Sequence, residues 1–206
     1  MSTGSRPYAS PLRAAGALGT RRRIRAAAHA LFERQGFAGA TIAGIAAEAG
    51  VSVQTVYATF GSKGAILREM MDELEELAGG EDDGAALLDE ADHRRQIALF
   101  GGWIRRLFEG GAPLFRAAVA ARNNAGVAAM IDTGNRRRLE GATILAAGWA
   151  ERVLLRPGLT AGQAAETLWL LTSAELFLSS VDALKWTADR YEQWLVDTAS
   201  RELFGS

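Results

Sequence analysis

The sequence predicts an all-α protein with two domains. Apolar residues recur every three or four positions through most of the 206 residues, which is the period of an α-helix. The strict alternation that is typical of half-buried strands is nearly absent. Three short helices are expected first, then a connecting helix and about five helices of a larger body. This order predicts an N-terminal three-helix domain over residues 19–65 and a helical bundle over residues 66–206.

The N-terminal segment, residues 1–18, contains two prolines and two arginines and has no continuous apolar stretch. We expect a disordered arm here rather than a signal peptide. The first helix is predicted over residues 20–37, because apolar residues recur there on one side. That side is formed by Ile24, Ala27, Ala28, Leu31 and Phe32.

Residues 41–60 have the pattern of a helix, a tight turn and a second short helix. Thr41 is placed to cap the first helix with its hydroxyl, and Ser52 to cap the second. Gly50 follows the last turn of the first helix, where a positive φ stops a helix and redirects the chain. The face expected to be buried consists of Ile42, Ile45, Ala46 and Ala49. Such a helix-turn-helix places one helix in the major groove, so the segment predicts double-stranded DNA as a partner.

The body is predicted from apolar stripes and from the residues that interrupt them. A helix leaves the DNA-binding unit with Ile66, Leu67, Met70, Met71, Leu74 and Leu77 on one face. Residues 78–92 are acidic and rich in glycine, so we expect mostly a connection. The next stripe consists of Ile97, Phe100, Trp103, Ile104, Leu107 and Phe108.

Breaks in the pattern divide the rest of the body. Gly110 and Gly111 are expected to end the stripe, and Pro113 suits the first turn of a short helix. A long helix is predicted over residues 127–155. Thr160 is placed to cap a helix over residues 161–184, and the last helix is predicted over residues 188–204.

Charge is divided unequally along the chain. Residues 1–70 carry 9 basic and 3 acidic groups, whereas residues 71–206 carry 14 basic and 21 acidic groups. Because residues 1–70 are basic and the rest of the chain is acidic, we expect a polyanionic partner to bind at the N-terminal end of the molecule only. The alternative is a chance segregation of solvated charges.

Several classes of site and location are disfavoured by composition. The chain has no cysteine, which excludes disulfides and thiolate sites. No apolar run approaches the length of a membrane span, so we expect a cytoplasmic protein without membrane contact. The two histidines, His29 and His93, lie on separate helices with no spacing that suggests a triad or a metal site. We therefore expect neither an enzyme nor a cofactor.

The segment TRRRIRAAAHALFERQGFAGATIAGIAAEAGVSVQTVYATFGSKGAIL resembles the DNA-binding domain of the tetracycline-repressor (TetR) family. The resemblance covers roughly residues 20–70. It rests on the basic start of the first helix, LFERQGF, T-I-x-x-I-A-x-E-A-G-V-S, V-Y-x-x-F and G-S-K. Ala43 and Gly44 stand where the family often has a charged pair, and Ala58 stands where a large polar residue is common. These departures leave fewer side chains to grip DNA.

Candidate DNA contacts follow from the second helix and from the resemblance. We expect the side chains of Val53, Val56 and Tyr57 either to pack the second helix or to steady it on the DNA backbone. The side chains expected to point outward are those of Gln54, Thr55 and Ala58. A glutamine can pair with N6 and N7 of adenine, so Gln54 is the candidate base reader and Thr55 a candidate for a thymine methyl or a phosphate. The resemblance implies phosphate contacts by Tyr57, Thr41 and Lys63. The remaining candidates are Ser52, with Arg21, Arg22 and Arg23 for the backbone or the minor groove. A solvated charge run is the alternative for the arginines.

The resemblance also implies a small-molecule effector that binds within the helical body. Candidate lining residues are Phe100, Trp103, Phe115, Trp149, Trp169 and Glu175. Aromatic residues at helical spacing are also typical of a plain core, and Glu175 in an apolar stretch is also explained by a structural ion pair. Asn123 and Asn124 are better explained as caps at a helix end than as ligand contacts.

We expect a homodimer formed by the last two helices, with Leu178, Val181, Tyr191, Trp194 and Leu195 as candidate interface residues. The alternative for Trp194 is packing within its own subunit. Together these features predict a homodimeric repressor released from a palindromic operator by a small molecule. A small-molecule binding or interaction protein with weak or lost DNA binding is the other hypothesis, motivated by Ala43, Gly44 and Ala58.

Overall fold

The computed structural model describes residues 11–77 and 80–204, and describes side chains for residues 15–77 and 84–204. Within these ranges the chain forms helices and no strands, as the sequence predicts. The elements are α1 (Pro11–Gly39), α2 (Ile42–Ala49), α3 (Val53–Phe60), α4 (Lys63–Leu77), α5 (Gly80–Asp89), α6 (His93–Ala120), α7 (Ala125–Glu151), α8 (Ala161–Leu171), α9 (Ala174–Leu178), a π-helical turn (Ser179–Ala183) and α10 (Ala188–Phe204).

Helix α1 begins earlier than the sequence predicts. Residues 11–18 are helical rather than part of a disordered arm, and residues 1–10 lie outside the described residues. Residues 15–18 are exposed, so these turns extend past the packed part of the helix. Near its other end α1 kinks at Gly36, whose φ of 69° only glycine adopts without strain. The predicted buried side of α1 is confirmed.

Two hydrophobic clusters form the interior. The head cluster joins α1–α4 to the second half of α6 and the first turn of α7, where Leu114, Ala117 and Val127 are buried. The body cluster contains the first half of α6 with α7–α10, and its fully buried large side chains include Ile104, Trp149, Leu168, Tyr191 and Leu195. Helices α6 and α7 therefore contribute to both clusters. The interior of the N-terminal domain, called the head below, thus includes residues beyond residue 65.

The prediction that Gly110 and Gly111 end a helix, with Pro113 starting another, is wrong. One helix, α6, runs through all three residues. The apolar stripe continues across this region, because Phe108 is buried in the body cluster and Leu114 in the head cluster. Packing before and after these three residues outweighs the local cost of glycine and proline in a helix. Gly111 is buried where Leu74 of α4 approaches, and its lack of a Cβ leaves room for that side chain.

Residues 78–92 are not mainly a connection, since most of them form α5. Leu87 packs against the body cluster, and its carbonyl accepts a hydrogen bond at 2.8 Å from Nε2 of Gln96. Tertiary contacts of this kind stabilise a helix here in spite of the glycine-rich composition. Asp92 caps α6 by accepting hydrogen bonds from Arg94 N at 2.8 Å and Arg95 N at 3.3 Å.

The helix predicted over residues 161–184 is interrupted. Thr160 and Gln163 form the predicted cap at its start, but α8 ends at Leu171. The Thr172 hydroxyl donates to Leu168 O at 2.8 Å, and the Ser173 hydroxyl accepts from Leu176 N at 3.2 Å to start α9. Adjacent hydroxyl side chains thus compete with the helical backbone bonds and divide the segment. The last helix, α10, has its predicted limits.

Candidate DNA-binding surface and effector site

The structure confirms the helix-turn-helix and both of its caps. Thr41 Oγ1 accepts a hydrogen bond from Gly44 N at 3.0 Å, and Ser52 Oγ accepts one from Thr55 N at 3.0 Å. Gly50 between the helices has φ 65° and ψ 40°, the left-handed conformation expected for it. Because a side chain is strained in that conformation, the glycine fixes the turn that sets α3 against α2.

Helix α3 has one buried anchor and an exposed outer face. Val56 is fully buried in the head cluster, and Gln54 and Ala58 are exposed as predicted. Val53 and Tyr57 are 38% and 53% exposed, so the prediction that they pack the helix within the subunit is wrong. An eight-residue helix docked along one stripe has room for few buried positions. The second possibility, that Tyr57 steadies the helix on DNA, stays a prediction.

The hydroxyls of Ser52 and Thr55 are engaged with each other. Their oxygens lie 2.9 Å apart, and Ser52 also holds the amide of Thr55. Thr55 is half-buried. Both residues therefore order the first turn of α3, which leaves Gln54 as the free polar side chain of that turn. No finding tests the proposed base and phosphate contacts, and they stay predictions.

Lys63 lies in the first turn of α4 and is tied to the end of α1. Its Nζ donates to the carbonyl of Phe37 and, at 2.6 Å, to that of Ala40. The ammonium also lies 4.3 Å from the centre of the Phe37 ring, and its burial lowers the pKa of Lys63. An ammonium has three donors, so a phosphate contact remains open, but Lys63 has a structural role that the sequence did not reveal.

The three consecutive arginines of α1 differ in their surroundings. Arg21 donates from Nε to both carboxylate oxygens of Glu69, at 2.7 and 2.9 Å, and its guanidinium lies 4.7 Å from the centre of the Phe60 ring. This pair raises the pKa of Arg21 and lowers the pKa of Glu69. Arg22 and Arg23 are exposed. Arg21 therefore ties α1 to α4, and the other two remain the better candidates for DNA.

An open cleft of about 510 Å³ separates the early turns of α1 from α3. Its lining includes Leu18 and Arg21 on one side and Thr55 and Ala58 on the other. The sequence did not predict this cleft, because it depends on the helical start of α1. It adds a concave surface next to the exposed face of α3.

Among the candidate effector residues, Trp149 is a core residue. It is 1% exposed, and its Nε1 donates to Oε1 of Gln96 at 2.6 Å. Its ring meets that of Phe204 edge-on at 5.0 Å. A buried glutamine that links α5, α6 and α7 thus fixes the indole in place.

Three further aromatic candidates lie along α6. Phe100 is buried and stacks on Trp103 with ring centroids 6.2 Å apart. Trp103 is half-buried, and its Nε1 has no hydrogen-bond partner. Phe115 lies farther along the helix, where its ring meets Phe108 edge-on at 5.0 Å. Phe115 packs against both clusters, so it marks their boundary.

The last two candidates lie on the α8–α9 side of the body. Trp169 donates from Nε1 to Asn135 O at 3.2 Å. Glu175 is exposed and pairs with Nη2 of Arg122 at 3.4 Å, which fits the structural explanation of this carboxylate. Phe100 and Trp103 therefore lie together, whereas the other four candidates have other immediate partners. The part of these residues in an effector site stays a prediction. Asn124 caps α7 as expected, accepting from Gly126 N at 3.1 Å.

Sequence reasoning missed Arg138 of α7. Its Nη1 donates to Thr172 O at 2.6 Å, and its guanidinium lies 4.9 Å from the centre of the Trp169 ring. Burial lowers the pKa of Arg138. Its spacing from Ala142 and Leu145, which are buried on α7, places it on the same helix face. An arginine in line with an apolar stripe was the signal that could have identified it.

The dimer candidates separate into core and surface residues. Leu178, Tyr191 and Leu195 are buried in the body cluster, so their place in an interface is not supported: they have almost no surface left to offer. Val181 and Trp194 are half-buried and remain candidates. The Trp194 ring packs on Tyr191 at 6.0 Å, so part of it belongs to its own subunit.

The described residues contain no cluster of histidine, aspartate and glutamate suited to a metal ion. In the same part of the chain, none of the helices combines the length and the hydropathy that a membrane span requires.

Comparison with known proteins identifies the family that the N-terminal DNA-binding segment resembles. Residues 24–70 match the model of the family described as bacterial regulatory proteins, tetR family, which confirms the predicted resemblance. No curated protein sequence matches the chain.

Solved structures share the fold of almost the whole chain. NalD of Pseudomonas aeruginosa, the secondary repressor of the MexAB-OprM multidrug efflux pump, is 22% identical with a TM-score of 0.71, over 92% of this chain and 98% of that one. FadR of Bacillus subtilis, a transcriptional regulator solved with stearoyl-CoA, is 16% identical with a TM-score of 0.70, over 88% and 98%. A TetR-family protein of Syntrophomonas wolfei is 15% identical with a TM-score of 0.73, over 88% and 93%.

Proposed function

With a TetR-type DNA-binding segment at residues 24–70 as the premise, we propose that this chain is a cytoplasmic, homodimeric transcriptional repressor that a small molecule releases from a palindromic operator. The observation that carries the proposal is the exposed outer face of α3 on a head whose first seventy residues have more basic than acidic groups. The negatively charged backbone of DNA favours such a surface. Neither enzyme activity nor a cofactor is part of this proposal.

Operator recognition is assigned to α3. Gln54 reads adenine in the major groove, because its exposed amide can both donate and accept. Tyr57 and Thr41 contact phosphates, and Arg22 and Arg23 bind the backbone or the adjacent minor groove. Phosphate contacts set the position of the head on the duplex, whereas the contact of Gln54 gives sequence preference.

Dimerisation is assigned to the exposed apolar residues of the last helices. Val181 and Trp194 remain partly exposed, and Leu184, which follows Val181 closely in the chain, is 62% exposed. Apolar side chains grouped on a surface are common at interfaces. A twofold axis through such an interface lets two heads read the two halves of a palindrome.

Effector release requires that the small molecule bind two conformations of the dimer with different affinities. We assign that site to the helical body. FadR, which has a similar fold, was solved with stearoyl-CoA, and this supports a small-molecule ligand. Helices α6 and α7 belong to both clusters, so a shift in the body moves residues that pack the head. The two heads then no longer match successive major grooves.

One observation favours the other hypothesis, a small-molecule binding or interaction protein with weak or lost DNA binding. Ala43 and Ala58 are exposed at positions where larger polar side chains would have room to reach DNA. A mobility-shift titration of the full-length protein on the DNA upstream of its gene, at several salt concentrations, distinguishes the two hypotheses. Binding without preference over scrambled DNA favours the second.

The variant Gln54→Ala tests the assignment of the base contact. We expect it to weaken operator binding by about 1–3 kcal/mol and to leave binding to scrambled DNA nearly unchanged. Gln193→Ala is the matched control, because Gln193 is an exposed glutamine on α10. An equal loss on both DNAs would show that Gln54 does not read a base.

A further inference from the structure

The guanidinium of Arg138 is a partly buried positive charge without an acidic partner. Among the described residues, no carboxylate oxygen lies within 4.0 Å of its nitrogens. Glu175 attracts it through space, but that carboxylate is paired with Arg122. Removing a charge from water without pairing it is costly, so such a group in a binding domain points to a ligand.

One edge of this guanidinium is poorly used. Nη1 has a good acceptor, the carbonyl of Thr172 at 2.6 Å. Nη2 donates at 3.2 Å to the neutral side-chain oxygen of Asn135, and Nε is buried without any acceptor. The Nε and Nη2 donors together form the fork that matches the two oxygens of a carboxylate.

Two other arginines of the chain show what this edge binds. Arg116 uses Nε and Nη2 to hold the two oxygens of Asp182 at 2.9 and 2.6 Å. Arg21 uses the same two nitrogens on Glu69. Both edges hold a carboxylate, whereas the edge of Arg138 has only one long bond to an amide.

Apolar groups flank Arg138 beside its polar partners Thr172 and Asn135. Its guanidinium stacks on the Trp169 ring, and Ala142 and Leu145 continue its face of α7 into the body cluster. Toward the start of the same helix, Met130 packs against the head cluster. Arg138 therefore lies between the parts of α7 that serve the two clusters, next to the break between α8 and α9.

We propose that Arg138 is the anion-binding group of the effector site and that the effector is an amphiphile with an anionic oxygen headgroup. The headgroup takes the Nε and Nη2 edge and displaces the amide of Asn135, while the apolar part packs beside Trp169 toward the body cluster. This inference rests on the proposed function, since it names the chemical class of the effector.

Calorimetric titration of the full-length protein with decanoate, decyl phosphate and decan-1-ol tests the proposal. We expect the wild-type protein to bind one or both anions at least about tenfold more tightly than the alcohol, which a charge-assisted fork permits. The tighter anion identifies the headgroup, and either preference supports the proposal. Equal affinity for all three probes, or no binding of either anion, overturns it.

Arg138→Met is expected to abolish the preference for the anion and to leave the affinity for decan-1-ol unchanged. Arg136→Met is the matched control, because Arg136 is exposed on the same helix, and it should keep the preference. If Arg138→Met fails to fold, Asn135→Ala decides, since removing the competing amide should tighten anion binding by about threefold. A preference that survives Arg138→Met, or weaker anion binding by Asn135→Ala, overturns the proposal.

The same preparations are tested on operator DNA without added amphiphile. Intact operator binding with no preference for an anion refutes the effector class and leaves the proposed function standing. A clear anion preference in a protein without operator binding refutes the repressor and retains the site.

Discussion

Two adjacent glycines of α6 allow a direct test of how closely the head packs on the body. A Cβ on Gly110 would lie 3.7 Å from Cδ1 of Leu74, which is ordinary contact. A Cβ on Gly111 would overlap Cδ2 of Leu74 and would lie 2.9 Å from the ring of Phe115. The two positions share helix and backbone conformation, so the change to alanine differs mainly in packing.

The expected magnitudes follow from this difference. Replacing glycine by alanine inside a helix stabilises by about 1 kcal/mol, and Gly110→Ala should show most of that gain. Gly111→Ala gains the same propensity but forces Leu74 and Phe115 to move, at a cost of about 1–3 kcal/mol. We therefore expect Gly111→Ala to be about 1–3 kcal/mol less stable than Gly110→Ala.

Equilibrium unfolding in urea, followed by circular dichroism, measures both free energies of unfolding. In a Leu74→Ala background the overlap with Cδ2 is removed, so the difference between the two glycine variants should shrink. If Gly111→Ala raises the midpoint as much as Gly110→Ala does, the close approach of α4 to α6 does not limit packing, and the reasoning is refuted.

Three further predictions concern the head and the interface. Lys63→Met should lower the free energy of unfolding, measured in urea, by about 1–3 kcal/mol, because it removes the hydrogen bond from Nζ to Ala40 O. An unchanged urea midpoint would show that Lys63 does not stabilise the fold. Arg21 lowers the pKa of Glu69, so this pair stabilises the fold above the pKa of an unpaired glutamate, about 4.3, and that contribution is lost as pH falls through the lower folded value. Glu69→Gln should therefore flatten the acid side of the stability profile, and an unaltered profile would contradict the pairing. Trp194→Asp should give a folded monomer by sedimentation at micromolar concentration, whereas a folded dimer would exclude this residue from the interface.

The parts of the fold that depend on neighbouring residues could be predicted from sequence. Thr41, Gly50 and Ser52 act within one turn of their own positions, and all three have the predicted geometry. The glycine pair of α6 misled the prediction because the compensating contact with Leu74 comes from another helix. The break at Thr172 was missed because a single threonine–serine pair carries little weight against a long apolar pattern.

The candidate sites were harder to predict because burial is not local. Tyr191 and Leu195 have the same helical spacing as surface residues of α10, and only packing against α6 and α8 shows that they are core. Arg138 stands in the run NRRRLE, where it looks like one of three solvated arginines. Its hydrogen-bond acceptor, the carbonyl of Thr172, lies at the break between α8 and α9, which the sequence did not reveal.

The sharing of α6 and α7 between the two clusters limits how this architecture can be rearranged in evolution or by engineering. A graft of residues 1–70 onto another body would leave behind Leu114, Ala117 and Val127, which complete the interior of the head. A successful chimera has to include the second half of α6 and the first turn of α7, or has to recreate their apolar surface in the new host. The DNA-binding unit is contiguous along the chain, but its interior is completed by helices that follow it later in the sequence.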